Sequence, residues 1–504
     1  MTEIDMKGCF VLQRRFAYIG HELVRHLMEK GVIREACAYV QTRDSFEFLT
    51  KQNDVKYSAL LLDEDIHEEH RTETLDMEYL RELETKYGQP TLWRYLNVDR
   101  IVRSGQLVRE YPYDTPSYSH EDMLRILQVQ AKRISAFLAK EKPDFLVTTQ
   151  PGAIGTVLLY HMARAHGIRT LVIILPGIET LTSLSERYDR LTFVEGTAER
   201  YRGLPSSEIP EWGAARDAIR SFRAKPRAYS HVYDAVPFAN RAAHFGFLRP
   251  RGFLESVRWF VRMCTQWLRD APRRRDYTTI NPIAYVFDRI KRKGRVLIGY
   301  NDLYSPFQED TPFAFFPLHL EPEIALNLLA PFASEQLPIL RQVAQSLPVG
   351  YKLVVKEHPL MVGFRPRSFY RELKKIPNLV LVDPRLRAVD IISHARLVTT
   401  ITGTAGFEAV LLQKPLITFG EVFYNALSFV KHSEVPAELP ALVASQLSDF
   451  KFDEDELTRF FAAILKESAS VDLAYIWALE KDNTLKKREG LTDLADLIAR
   501  QVRR

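Results

Sequence analysis

Three short segments hold the residue types that phosphate and sugar chemistry requires. The first is Ile401-Thr402-Gly403-Thr404-Ala405-Gly406-Phe407-Glu408, an apolar run entering a glycine turn. Glycines let the backbone approach a ligand closely. The first N–H groups of a helix opening there are unpaired and partly positive, which suits phosphate oxygens. Glu408 lies four residues after Thr404, on the same helix face, where it could accept hydrogen bonds from a ribose diol. The same spacing also fits an ordinary strand–helix turn with Thr caps and a solvated Glu. Neither the dinucleotide nor the P-loop glycine fingerprint occurs in the chain.

The second segment is Lys356-Glu357-His358-Pro359, directly after the apolar run Tyr351–Val355. Pleating would aim Lys356 and His358 one way and Glu357 the other, and Pro359 would end the strand. Ligands of parallel sheets bind outside the carboxyl ends of strands, so His358 could meet a phosphate or base, or simply cap the strand. The third is Gln150-Pro151-Gly152, after Phe145–Thr149, where an amide could pair with a sugar hydroxyl or a pyrimidine edge, or form a plain turn. Thr311–Glu323 reads as a rigid loop, since its prolines and aromatics forbid a regular helix. It sets His319, Glu321 and Glu323 in apolar company. Glu321, Glu323 and Asp302 are the candidate acid/base or nucleophilic carboxylates. Asp63-Glu64-Asp65 mimics a metal-binding acidic triplet, but a second triplet at Asp453–Asp455 opens a plainly solvated helix, so no metal is expected. His67 and His70 read as surface helix.

These segments need a frame that ends strands near ligands. Strand-length apolar runs alternate with helical patterns, the mark of parallel α/β sheets. Strands are expected at Cys9–Leu12, Ala36–Val40, Ala59–Leu62, Pro143–Thr149 and Thr170–Leu175. They are expected again at Arg295–Tyr300, Tyr351–Val355, Leu379–Val382, Leu397–Ile401 and Pro415–Phe419. The expected domains are a Rossmann-like domain (1–204), a helical Arg-rich connector or insertion (205–292), a second Rossmann-like domain (293–450) and C-terminal helices (451–504). The two α/β halves would face a cleft.

The chain has 504 residues, 46% hydrophobic and 26% charged, enough for two to four domains and unlike a disordered or disulfide-scaffold protein. Three widely spaced cysteines fit a reducing compartment, and no apolar run approaches the ~18–20 residues of a membrane span. The net charge of +5 does not point to nucleic acid, but it is unevenly spread. Arg241–Arg295 holds 14 Lys/Arg against 4 Asp/Glu, a local +10 that leaves −5 for the rest. Within it, Arg251, Arg258, Arg262 and Arg269 can line one helix face beside Phe253, Trp259, Phe260 and Trp267. That pattern suits either an interfacial helix on an anionic bilayer, through 249–275, or a helix packed on the acidic remainder.

Phe-Phe-Pro-Leu-His-Leu-Glu-Pro-Glu (315–323), Val-Lys-Glu-His-Pro (355–359), Thr-Gly-Thr-Ala-Gly-Phe-Glu-Ala (402–409) and Gln-Lys-Pro-Leu-Ile-Thr-Phe-Gly (413–420) occur in that order, followed by Phe423-Tyr424. The series resembles bacterial capsule and surface-polysaccharide biosynthesis proteins related to the β-Kdo glycosyltransferases. The likeness is dense over 295–425, looser over 140–200 and absent in 205–290. It implies a metal-independent GT-B-like α/β fold and a CMP-sugar donor as co-substrate, with no further cofactor. His358, Pro359 and Lys356 would then belong to the nucleotide site, with Thr402, Gly403, Thr404, Gly406 and Glu408 beside phosphate and ribose. Gln150 and Pro151 would complete a His-Pro and Gln-Pro motif pair. The implied activity is transfer of Kdo or a related acidic sugar to a cell-surface polysaccharide or its lipid-linked primer; the cysteine usage and the basic segment add the expectation of a cytoplasmic enzyme peripheral to the membrane. Competing readings are a CDP-glycerol-type polyol-phosphate transferase, a sugar-nucleotide epimerase, or a non-catalytic glycan-assembly subunit.

Overall fold

In the computed structural model, the described residues are 6–13, 16–88, 90–105, 118–178, 180–226, 245–270, 277–473, 476 and 490–504. They form two α/β units. The first comprises the described residues within 6–105, 118–215 and 459–504, the second those within 216–458.

The first unit is built on a seven-stranded sheet. Its strands are β1 (Lys7–Leu12), β2 (Glu35–Val40), β3 (Tyr57–Leu62), β4 (Phe145–Thr149), β5 (Arg169–Ile174) and β6 (Leu181–Ser185). A late strand joins them, Ser468–Ser470, the last of the thirteen strands among the described residues in chain order (β13). The order is β13-β6-β5-β4-β1-β2-β3, parallel from β3 to β5 and antiparallel at β6 and β13. Every side chain of β4 is buried, as expected of a central strand covered on both faces. Helices Phe16–Glu29 and Leu491–Arg503 pack together over one face with Leu23, Leu27, Leu494 and Ile498 in the core.

The second unit carries six parallel strands: β7 (Phe313–Pro317), β8 (Lys352–Lys356), β9 (Leu379–Val382), β10 (Leu397–Thr400), β11 (Leu416–Thr418) and β12 (Val430–His432). Their order is β12-β11-β10-β7-β8-β9. Counted within the unit this is 3-2-1-4-5-6, the doubly wound Rossmann order. The first unit follows the same order through its fifth strand. The fold is thus two Rossmann-like domains, as the alternation of runs and helical patterns suggests.

Several elements differ from the expectation. The supposed loop at 311–323 begins with the central strand of the second sheet. Phe313, Phe315 and Phe316 are fully buried there, and Pro317 ends the strand, where a missing N–H costs nothing. Conversely, Arg295–Tyr300 is no strand. It closes the helix Pro282–Ile298, capped by the Asn281 side chain at its start and by Gly299 (φ 77°) at its end. A short apolar run cannot by itself be told from a helix segment.

Residues 451–504 do not stand alone. From Arg459 onward they belong to the first unit, where Glu467, fully buried, accepts hydrogen bonds from Thr197 and Gln501. The connector expected at 205–292 yields its first eleven residues to the first unit and runs on to Ile298 in helix. His67 and His70 are buried rather than on a surface helix. Their rings lie 4.8 Å apart, with the His67 Nε2 3.0 Å from the Tyr118 hydroxyl.

Gly155, in the first turn of the helix Ile154–Ala165, leaves no room for a methyl group. A Cβ there would lie 1.8 Å from the Tyr39 hydroxyl and 2.7 Å from Gln130 Oε1. Gly196, inside the helix Thr192–Tyr201, has open space around it. Urea denaturation should therefore show Gly155→Ala destabilised by about 1–3 kcal/mol. Gly196→Ala should be stabilised by about 1 kcal/mol.

Candidate functional site

In a doubly wound sheet the chain leaves neighbouring strands in opposite directions at one point, and the crevice at their carboxyl ends is where ligands bind. In the second unit that point lies between β7 and β10. The chain leaving β7 carries His319, and the chain leaving β10 carries Thr402, Gly403 and Thr404. His319 Nε2 accepts from the Thr402 backbone N–H at 3.2 Å and lies 3.2 Å from Thr400 Oγ1. Burial pushes the His319 pKa down to about 4, so the ring is neutral at physiological pH. With Nε2 accepting, the proton sits on Nδ1. His319 Nδ1 and Thr402 Oγ1 are buried atoms that find no hydrogen-bond partner among the described residues. Gly403 lies so close to His319 that a Cβ would sit 3.1 Å from Nε2.

Gly403 opens the helix Thr404–Leu411 without any side-chain cap. Thr404 is exposed and Glu408 buried, so the shared face expected of the pair turns inward at Glu408. Gly406 serves packing rather than ligand approach. A Cβ there would meet the Tyr424 hydroxyl at 2.4 Å, and that hydroxyl donates to the Gly403 carbonyl at 2.6 Å.

The end of β8 supplies a cation. Lys356 is 6% exposed, and burial lowers its pKa to about 8 against the opposing pull of Glu357, Glu408 and Asp383. Glu357 points the other way, fully buried, as pleating requires. His358 Nδ1 accepts from the Leu360 N–H at 3.2 Å, so its neutral ring donates through Nε2. Pro359 opens the short turn that this bond closes.

Arg365 ties these loops together. Its side chain is completely buried, paired with Glu357 through Nη1 and with Glu321 Oε2 at 3.1 Å. It also donates to the His319 carbonyl at 2.7 Å. Gln336 completes the lattice, accepting from the His319 N–H at 2.7 Å and donating to Glu321 Oε1 at 2.6 Å. Tyr370 donates to the other Glu357 oxygen at 2.7 Å. Glu321 is therefore committed to holding the loop after β7. Asp302 is ion-paired with Arg367, which lowers its pKa further below the usual carboxylate range, and it lies on an exposed turn. Glu323 sits at the N-cap of the short helix Ile324–Leu329, on the same loop as His319.

The matching turn in the first unit is chemically different. Asp99 is buried, its Oδ1 accepting from Ile101 N and Val102 N at 3.0 Å. Its Oδ2 accepts from Ile154 N at 3.2 Å. A protein carboxylate thus occupies the N-terminus of the helix Ile154–Ala165, where an anion would otherwise sit. Gln150 donates to the Tyr188 carbonyl at 3.2 Å, and Pro151 is buried. Gln150 and Pro151 lie in the first unit, whereas the His358 site is built wholly in the second.

Asp63 is buried, hydrogen-bonded by Tyr39 and Gln130, whereas Asp65 pairs with Arg43 at the surface, so the acidic triplet does not converge. Among the described residues, Glu421, His432 and Glu434 are the group close enough to share a cation. Two of the three are exposed, and His432 Nδ1 lies 3.0 Å from Thr418 Oγ1.

The sequence marked His319 only as a polar group in apolar company, and it gave no sign of Arg365 or Gln336. A buried arginine 44 residues beyond Glu321 leaves no periodic trace. Removing Arg365 strands two carboxylates. Breaking a buried pair in this way costs about 3–5 kcal/mol. Chemical denaturation of Arg365→Met should show that loss, while Asp302→Asn, at an exposed pair, should change stability by less than about 1 kcal/mol.

Comparison with known proteins adds family to geometry. Residues 293–434 match the model of the family described as capsule polysaccharide biosynthesis protein. Protein FixF of Sinorhizobium fredii is 28% identical over 169 residues, which is 32% of this chain and 39% of that protein. The chain thus spans about two fifths of that relative's length. Two solved structures of Thermosulfurimonas dismutans KpsC are also similar. The β-Kdo 2,7 transferase matches at 13% identity and a TM-score of 0.37, over 73% of this chain and 89% of its own. The β-Kdo 2,4 transferase matches at 13% and 0.37, over 71% and 88%. Over residues 293–434 the chain is thus similar to capsule polysaccharide biosynthesis proteins.

Proposed function

We propose that this protein is a glycosyltransferase of cell-surface polysaccharide synthesis. In this reading it binds the phosphate of a nucleotide-activated sugar, CMP-activated by preference, at the carboxyl edge of the second sheet. The observation that carries the proposal is an asymmetry. The helix Ile154–Ala165 has its N-terminus closed by Asp99, whereas the helix Thr404–Leu411 opens uncapped beside a buried lysine and a neutral, buried histidine. Unpaired N–H groups and a nearby ammonium are what a leaving phosphate needs.

In this reading Thr404 presents its N–H group to the phosphate, the Gly403 N–H being taken by Thr400 Oγ1 at 3.2 Å, and Lys356 offsets the phosphate charge as the glycosidic bond to it breaks. His358 Nε2–H and Glu408 contact the nucleoside. Asp302 and Glu321 are each held by an arginine, and Glu323, on the loop that carries His319, is the candidate base for the acceptor hydroxyl. The acceptor is a growing glycan or its lipid-linked primer, and the donated sugar is Kdo or a related acidic sugar. The described residues contain no helix long and apolar enough to cross a membrane. The proposal therefore has a cytoplasmic enzyme held at an anionic membrane surface through 249–275, of which 271–275 lie outside the described residues.

A ligand at 100 times its Kd stabilises a fold by about 2.7 kcal/mol. A thermal-shift panel of CMP, CDP, UDP and GDP should favour CMP, and His358→Ala should lose the shift. An unmoved melting temperature with all four would refute the reading. Lys356 adds a pH signature. Its pKa is about 8 when folded, below the ordinary lysine value near 10.5. The unfolded chain binds the extra proton between those values, so the empty protein gains stability as pH rises from about 8 to 10.5. Nucleotide affinity should move the opposite way and weaken above pH 8. Titration calorimetry across that range should show Lys356→Arg retaining its affinity.

A further inference from the structure

Two helices of the second unit, Pro250–Arg269 and Pro282–Ile298, expose an unusual amount of apolar surface. In the first helix Met263 is the sole buried residue among the described residues, so most of the helix surface stays open. Outward-facing Leu254, Val261, Phe287 and Ile298 are each more than half exposed. Beside them runs an open groove of about 1210 Å³. One wall is Phe253 and Phe260 with Val286 and Ile290. The other is Leu360 and Phe364, from the loop that follows His358 and Pro359.

The charges around this surface have one dominant sign. Over 249–270 and 277–298 there are ten Lys/Arg against three Asp/Glu. Two of the three acids are already engaged, Asp288 by Arg292 and Asp270 by Thr279. Arg289 and Lys293 line the groove together with the third acid, Glu255. The Arg292 guanidinium lies 4.5 Å from the centre of the Phe364 ring.

An occupant must therefore be apolar along its length and anionic at one end. A second copy of the chain would bring like charge against like charge. A nucleic acid would leave the groove unfilled. We propose that the groove seats one acyl chain of an anionic bilayer phospholipid. The outer faces of both helices would lie in the headgroup region, and Arg289 and Lys293 would meet the lipid phosphate. This deepens the membrane part of the reading above and rests on it. It extends the membrane element from 249–275 to the second helix, and it places a lipid chain against the His358–Pro359 loop.

The test uses the whole protein and two probes. Short-chain phosphatidylglycerol, kept below its micelle concentration, reports the groove by titration calorimetry. Phosphatidylcholine vesicles with and without phosphatidylglycerol report surface docking by co-sedimentation. The wild type should bind the monomeric anionic lipid saturably, one per chain, and the phosphatidylcholine analogue more weakly. Ser256→Trp, which fills the groove, should abolish this binding, as should Ile290→Glu, at a position already 60% exposed and tolerant of change. Leu254→Glu with Phe287→Glu should reduce vesicle binding but keep the monomer. Arg289→Gln should weaken monomer binding about fivefold. Absence of saturable monomer binding, or equal binding by both groove variants and wild type, would overturn the groove. If vesicles still bind in that case, surface docking survives without it. Loss of both would remove the membrane reading while leaving the nucleotide result untouched.

Discussion

A fully buried arginine is tolerable only when its charge is met on more than one side, and Arg365 meets that condition by reaching across the carboxyl edge of the second sheet. One bond goes to Glu357 at the end of β8, another to Glu321 and a third to the His319 carbonyl after β7. The loops after β7 and β8 are thereby fixed to each other, and Gln336 locks the first of them from behind. The ring of His319 is then aimed at Thr400 and Thr402, which sets the course of the chain as it leaves β10. The geometry of the uncapped helix start follows from a charge several residues away from it.

At the same point of one topology the two units differ by a single carboxylate. Each has a parallel strand running into a glycine turn that opens a helix. In the first, Asp99 accepts from the helix's leading N–H, and Gly155 makes room for Tyr39 and Gln130. In the second the corresponding position is left to backbone N–H groups, with Lys356 nearby and His319 neutral. An anion is repelled by the first arrangement and attracted by the second. The paired glycines look equivalent in sequence because Asp99 lies some fifty residues before the helix it caps.

Strands with strong apolar runs were legible, and most lie within a residue or two of their expected place. The exceptions share a cause. Phe313–Pro317 is a buried central strand whose proline and aromatics imitate a loop, and Val296–Ile298 is an apolar triplet at the end of an exposed helix. In both, burial decides the outcome, and burial is a property of neighbours far along the chain. Ser468–Ser470 is polar and short, so only its pairing with β6 makes it a strand. Of the site, the helix start at Gly403 and the lysine and histidine after β8 could be seen, because local spacing carries them. Glu321 and Asp302 were chosen for residue type alone, and each turned out to answer an arginine that nothing nearby announces.

The central claim is that phosphate is received at the uncapped helix start of the second unit and not at its capped counterpart. Hydrogen–deuterium exchange with and without CMP measures this amide by amide. Protection confined to Thr402–Gly406 and the loop after β8 is the expected result. Protection at Ala153–Thr156 with none at Thr402–Gly406 would contradict the account.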